Sequence, residues 1–326
     1  MIKTVFLTGH RKSGTTMLFR LFDDHPELNT YPPDLSVFYG YFPHFAATLS
    51  DADARARVEL VVRKSIERVI RRLPEGVSAP ACLKQFPAHL ARSLTQEALR
   101  DRGIFLKQLL EQWIALAGLD PALPVVVKET SQAAFFEDYS QADGIDLRMV
   151  SLLRDPRDNY AALKAGVETY YSKMSESERE TLASAINRIK FDFTAAAITA
   201  KTAPSRFETM RFEDLVQDPH AKMQTIASWL RISYQDSLTR PTVFGETYAG
   251  NNHDGVAFSG IASDHLGQWR QRISPDEAKI IEFWLSVDMR SFGYEPFYCE
   301  ADQLAAFAKF YDWYNHAYFF RDSFTV

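Results

Sequence analysis

The sequence predicts an α/β fold, a central parallel sheet flanked by helices. Three observations point to it. Short β-branched or apolar runs, of strand length, alternate with longer segments whose apolar residues recur at helical spacing. The first run is followed at once by a glycine-bearing loop and a helical pattern, the strand–loop–helix unit of such folds. The chain is also long and apolar enough, at 326 residues and 46% hydrophobic, to bury roughly 75% of its unfolded surface without staples.

Lys3 to Leu7 is the first strand and Thr15 to Phe22 the first helix. Asp51 to Arg72 and Ser93 to Ala117 carry helical apolar spacing with charged outer faces. Val125 to Val127 is β-branched and fenced by Pro124 and Lys128, so it reads as a buried strand, and Met149 to Leu153 reads as another. Ser177 to Lys201 is a long helix and Phe207 to Phe212 a fourth strand. Pro219 to Leu230 and Pro275 to Met289 are helices with proline at the first helical position, where its missing donor costs nothing. Between them, Pro241 to Gly267 is rich in Gly and Asn and has no period, as a functional loop would.

The net charge of −5 argues against a nucleic-acid binder, which should present a basic field. Two cysteines, Cys82 and Cys299, are too few for a disulfide framework or a four-ligand zinc site, and no metal is expected. No apolar stretch approaches the length of a membrane span. The N-terminal apolar run is too short for a signal-peptide core, so a cytoplasmic protein is expected.

The segment Leu7-Thr8-Gly9-His10-Arg11-Lys12-Ser13-Gly14-Thr15-Thr16 stands between strand and helix, where backbone amides at a helix start hold phosphate. Gly9 and Gly14 have the spacing of a nucleotide-binding P-loop, but Thr15 follows where a lysine is usual. The lysine lies inside the loop, at Lys12. In a nucleoside triphosphatase the lysine after the second glycine grips the β- and γ-phosphates. Its displacement points to a ligand with one phosphate and a different terminal group.

Arg11-Lys12-Ser13-Gly14-Thr15-Thr16 resembles the 5′-phosphosulfate loop of the sulfotransferases, which use 3′-phosphoadenosine 5′-phosphosulfate (PAPS) and have a P-loop-like α/β fold. Three more segments resemble the family in order. They are Leu152-Leu153-Arg154-Asp155-Pro156-Arg157-Asp158, then Arg211-Phe212-Glu213-Asp214-Leu215 with Asp218-Pro219, and Leu266-Gly267-Gln268-Trp269-Arg270. The resemblance implies one sulfotransferase domain over 1–326, with a helical insertion at about 51–118 and an aromatic C-terminal helix at about 300–326.

It further implies that Lys12 contacts the oxygen bridging phosphate and sulfate, while Ser13, Gly14, Thr15 and Thr16 cradle the 5′-phosphate. Arg11 faces either the sulfate or solvent. Arg154 corresponds to the 3′-phosphate arginine, whose forked donors suit a phosphate. The family's serine eight residues on is Ala162 here, with Tyr160, Lys164 or Arg157 as replacements. Phe212 stands where many members place a tyrosine near adenine. Ser263, His265, Gly267, Gln268, Trp269 and Arg270 belong to the late loop expected over the cofactor, Trp269 being equally a hydrophobic anchor. For the general base, Asp34 is the first choice by its spacing from Lys12, against a plain turn aspartate after Pro32-Pro33. Glu129 is the second choice, and Lys128 is expected to contact the sulfate.

The implied acceptor is a small-molecule, lipid-linked or glycan hydroxyl or amine. The aromatic tail, with Phe310, Trp313, Tyr314, Tyr318 and Phe319, reads as a docking face on the core or, more sharply, as a homodimer or lipid-facing patch. The alternatives are a P-loop kinase or nucleotidase, for which Asp155 would have to hold the metal, and a non-catalytic nucleotide- or glycan-binding protein.

Overall fold

The computed structural model describes residues 1–169, 178–248, 261 and 266–315. Five strands, β1 (Ile2–Gly9), β2 (Asn29–Asp34), β3 (Val125–Lys128), β4 (Ile145–Leu153) and β5 (Phe207–Arg211), form one sheet in the order β2-β3-β1-β4-β5. Every pairing is parallel. The helices in chain order are α1 (Thr15–Arg20), α2 (Val37–Gly40), α3 (Asp51–Ile70), α4 (Ala81–Ser93), α5 (Arg102–Ala117), α6 (Phe136–Ser140) and α7 (Pro156–Thr169). They continue with α8 (Glu178–Thr202), α9 (Phe212–Gln217), α10 (Pro219–Leu230), α11 (Trp269–Arg272), α12 (Pro275–Trp284), α13 (Ser286–Ser291) and α14 (Glu300–Asn315).

The strands alternate their side chains between two apolar layers, as a pleat requires. Phe6, Val125, Val127 and Met149 face the larger core, shared with the insertion helices α3–α5 and with α8, α12 and α14. Val5, Leu7, Val126, Val150 and Leu152 face the smaller one, closed by α1, α9 and α10. The insertion is therefore continuous with the sheet's own core. α14 lies on α12, where Trp284 meets the edges of Phe307 and Tyr314, with ring centres 5.4 and 5.1 Å away. Tyr318 and Phe319 lie outside the described residues. No helix among the described residues is long and apolar enough to cross a membrane.

Several elements differ from expectation. Asn29–Asp34 is a strand, although Pro32 and Pro33 sit in it. It is the sheet's edge, pairs only with β3, and shifts register between Thr30 and Asp34, so the missing donors are tolerated. Asp34 therefore ends a strand and is not a turn residue. The expected helix at 93–117 is two helices. Leu94 turns extended, and Asp101 restarts the chain by accepting from the Ile104 amide at 2.8 Å. Pro275 to Met289 likewise divides at Leu285 into α12 and α13. Phe212 opens α9 where a strand end was expected. Within the aperiodic segment, Thr242–Val243 pairs antiparallel with Glu246–Thr247 as a short hairpin, β6 and β7.

Candidate active site

β1 connects out toward β2 and β4 toward β5, so the winding reverses between β1 and β4. In open α/β sheets the ligand crevice lies at the C-terminal strand ends of such a reversal. The loops after β1 and β4 are the two that carry Lys12 and Arg154.

The loop after β1 is held in a conformation few residues adopt. Gly9 has φ 147°, and a Cβ there would meet the Leu152 carbonyl oxygen at 2.2 Å. Gly14 has φ 96°, and a Cβ would strike the Phe212 ring at 2.6 Å. Lys12 is itself left-handed, at φ 70°, a strain that is retained where surroundings or function demand it. Gly14 caps α1 with no side-chain hydrogen bond among the described residues. Neither threonine hydroxyl serves as that cap. Thr16 Oγ1 instead accepts from Lys128 Nζ at 3.2 Å. Ser13 Oγ is buried without a hydrogen-bond partner among the described residues, and His10 is buried beside Asn159. Burial pushes His10 down to about 3, so its ring is neutral.

Arg154 reaches back from β4. Its Nη1 donates to the Lys12 carbonyl at 3.1 Å, and its guanidinium lies 4.6 Å from the Phe212 ring centre. Burial, then the charges of Arg11, Arg72 and Arg154, lower the Lys12 ammonium to about 8. A lysine so placed is one to which an anion would bind strongly.

A second cluster stands at the ends of β2 and β3. Lys128 Nζ is 2.7 Å from Asp34 Oδ1, and Arg68 of α3 is 3.8 Å from Asp34 Oδ2. Burial raises the Asp34 carboxyl, but Lys128 and Arg68 outweigh it and hold it below the usual range. Glu129 is the reverse case. It is 5% exposed, and burial plus the Asp34 charge push it up to about 7. Its Oε1 accepts from the Thr130 amide at 2.7 Å and the Thr130 hydroxyl at 3.2 Å. Beside it, Ser131, left-handed at φ 55°, donates to Asp192 of α8 at 2.7 Å. Burial drives Asp192 to about 7 as well.

The late loop is anchored from α7. The Asp158 carboxylate accepts from the amides of Gly267 at 2.7 Å and Trp269 at 2.8 Å. Trp269 is buried, with the Arg157 and Arg270 guanidinium groups 4.6 and 4.5 Å from its ring centre. That is an anchor's environment. Gln268 caps α11 and Arg270 is exposed. Ser263 and His265 lie outside the described residues.

Two solved structures share this architecture. The sulfotransferase domain of the Synechococcus PCC 7002 olefin synthase superposes with a TM-score of 0.55 at 17% identity, covering 90% of this chain and 95% of that one. The sulfotransferase domain from the curacin biosynthetic pathway does so with a TM-score of 0.60 at 16% identity, covering 90% and 99%. At such identities the likeness speaks for the fold. No curated protein matches the chain. Residues 146–236, from β4 through α10, match the model of the sulfotransferase family. The matched stretch and the fold both resemble the sulfotransferases.

The chain departs at Ala162 from the sulfotransferase pattern it resembles, and the three substitutes the sequence offers are engaged elsewhere. Tyr160 is fully buried and donates to Glu277 Oε1 at 2.7 Å, and Lys164 pairs with the same carboxylate at 3.0 Å. Arg157 pairs with Asp155 and with Glu282, both at 2.6 Å. Asp155, on which a kinase reading depends, is thereby committed to Arg157. Sequence reasoning missed Arg68, Arg72, Asn159 and Asp192. The two arginines look like the solvent face of an amphipathic helix, and the last two lie on helices whose facing partners are distant in sequence.

Proposed function

We propose that this protein is a sulfotransferase that uses PAPS and transfers its sulfuryl group to the hydroxyl, or amine, of a small-molecule, lipid-linked or glycan acceptor, releasing adenosine 3′,5′-bisphosphate. The observation that carries the reading is the meeting of the strained Gly9–Thr16 loop, Lys128 and Arg154 at the C-terminal ends of the central strands. Ser13 Oγ, buried without a partner among the described residues, fits a ligand rich in oxygen at that loop.

PAPS supplies an activated sulfuryl group with a phosphate as its leaving group. Ser13, Thr15 and the loop amides would hold the 5′-phosphate, and Arg154 the 3′-phosphate. Lys12 would neutralise the charge growing on the bridging oxygen as its bond to sulfur breaks and the electron pair passes to the phosphate. Lys128, fixed between Asp34 and Thr16, would face the sulfuryl oxygens. Glu129 would take the acceptor proton as the new sulfur–oxygen bond forms. A carboxylate near 7 is a far better base at neutral pH than the ion-paired Asp34. Asp34 would instead position Lys128.

Isothermal titration with adenosine 3′,5′-bisphosphate tests the reading. Saturable binding that Lys12→Ala weakens supports it, and no binding refutes it. Mg²⁺-dependent turnover of ATP would favour the kinase alternative.

A further inference from the structure

With PAPS bound as proposed, the donor takes the half of the crevice over β1 and β4, and the inference about the acceptor rests on that reading. The acceptor is left the half over β2 and β3, and that half is cationic. Arg68 and Arg72 stand one turn apart at the end of α3, and Arg72 keeps the turn by donating its amide to the Val69 carbonyl at 3.0 Å. Arg68 reaches Asp34 at 3.8 Å. Arg72 is exposed and lies within charge range of Lys12, Arg20 and Tyr248.

Arg20 is the unusual member. It is 6% exposed, packed against Phe19 and Tyr248 with ring centres 5.3 and 5.4 Å from its guanidinium. Asp23 is 3.9 Å away, yet its Nε and Nη1 have no hydrogen-bond partner among the described residues. A buried guanidinium with unused donors is costly unless an anion meets it. Asp34, within its charge range, is already held at 2.7 Å by Lys128. Lys128, Arg68 and Arg20 thus share Asp34, Arg20 also has Asp23, and Arg72 stands within charge range of Arg20, so cationic charge is to spare.

We infer that the acceptor is itself an anion, a hydroxy compound bearing a carboxylate or phosphate group that Arg72 and Arg20 receive while its hydroxyl lies beside Glu129. Forked guanidinium donors suit both groups. The test uses purified full-length protein and PAPS, with product detected by mass. Its substrates are hydroxycarboxylic acids, aliphatic and phenolic, each paired with its own primary amide, and glycerol phosphate paired with glycerol. The acid of at least one pair should exceed its neutral partner about tenfold or more in kcat/KM, as expected for a charge-assisted contact. The carboxylate and phosphate pairs tell the two sources apart. Arg72→Gln should bring that ratio near one, chiefly through KM, while Arg71→Gln, exposed and outside the cluster, preserves it.

Neutral partners turned over as well as or better than the acids, or a ratio that Arg72→Gln leaves intact, overturns the inference. So does an Arg72→Gln effect confined to affinity for adenosine 3′,5′-bisphosphate, measured by titration, since Arg72 would then serve the donor. Failure of the unaltered protein to bind that nucleotide would instead strike the transferase reading.

Discussion

Glu129→Gln separates what the site needs from what the fold prefers. The replacement keeps the shape and the oxygen that accepts from the Thr130 amide and hydroxyl, and it removes only the charge. In the folded protein the Glu129 carboxyl lies at about 7 against an ordinary 4.5. A folded-state value above the unfolded one means the native protein binds the proton more tightly. Ionisation therefore weakens the fold as pH rises from the unfolded value through the folded one. At about 1.4 kcal/mol for each tenfold change in proton affinity, the full effect approaches ~3 kcal/mol at pH 8 and vanishes below the unfolded value.

Urea unfolding of both forms at pH 8 and at pH 4.5 reads this directly. Glu129→Gln should be the more stable protein at pH 8, by up to ~3 kcal/mol, and nearly equal at pH 4.5. Its turnover should fall about 10²–10⁴-fold, the usual contribution of a general base. The rise of wild-type kcat/KM through an apparent pKa near 7 should disappear with it. A variant that is less stable at pH 8, or that keeps the rising limb, refutes the assignment.

Asp34→Asn should behave oppositely. It strips the 2.7 Å partner from a Lys128 that is 5% exposed, and should cost about 1–3 kcal/mol at pH 7 by urea unfolding. Because the Asp34 carboxyl is held below its usual range, that penalty shrinks as pH falls through it and the wild-type pair is itself lost. Affinity for adenosine 3′,5′-bisphosphate, followed by titration calorimetry, should decline as pH rises past about 8, where Lys12 loses its proton. Lys12→Ala should abolish that decline and lower turnover about 10²–10³-fold. Gly9→Ala, whose Cβ would lie 2.2 Å from the Leu152 carbonyl oxygen, should lower Tm by at least several degrees. Gly118→Ala, left-handed at φ 64° with nothing within 4 Å, should lower it much less.

The parts legible in the sequence were those whose partners are close in the chain. The loop after β1 announces itself because strand, glycines, lysine and helix start lie within some fifteen residues, and each constrains the next. Arg154 and Lys128 were legible for the same reason, as polar residues directly ending buried strands. Asp34 was harder. Tyr31-Pro32-Pro33-Asp34 has the composition of a turn, and only the edge position of β2 makes it a strand, a fact settled by the order of the sheet. The break at Leu94 was hidden too, since apolar spacing runs through it and Asp101 acts as a cap only once Ile104 follows it into a helix.

The balance between Glu129 and Asp34 could not be read from sequence at all, and the proposed choice of base rests on it. Both are single acidic residues near strand ends, and by residue type Asp34 is the more acidic only slightly. The contrast arises because β2 lies beside β3, bringing Asp34 opposite Lys128, while α3 lays Arg68 across its other oxygen. Glu129 receives the repulsion of the carboxylate so stabilised, and less of the compensating attraction. One ion pair thus prepares two groups at once, a lysine fixed to face an anion and a neighbouring carboxyl that can accept a proton at neutral pH. Losing Asp34 should therefore lower the working pH of Glu129 as well as free Lys128. A wild-type kcat/KM limb that stays near 7 in Asp34→Asn would show that burial alone sets Glu129.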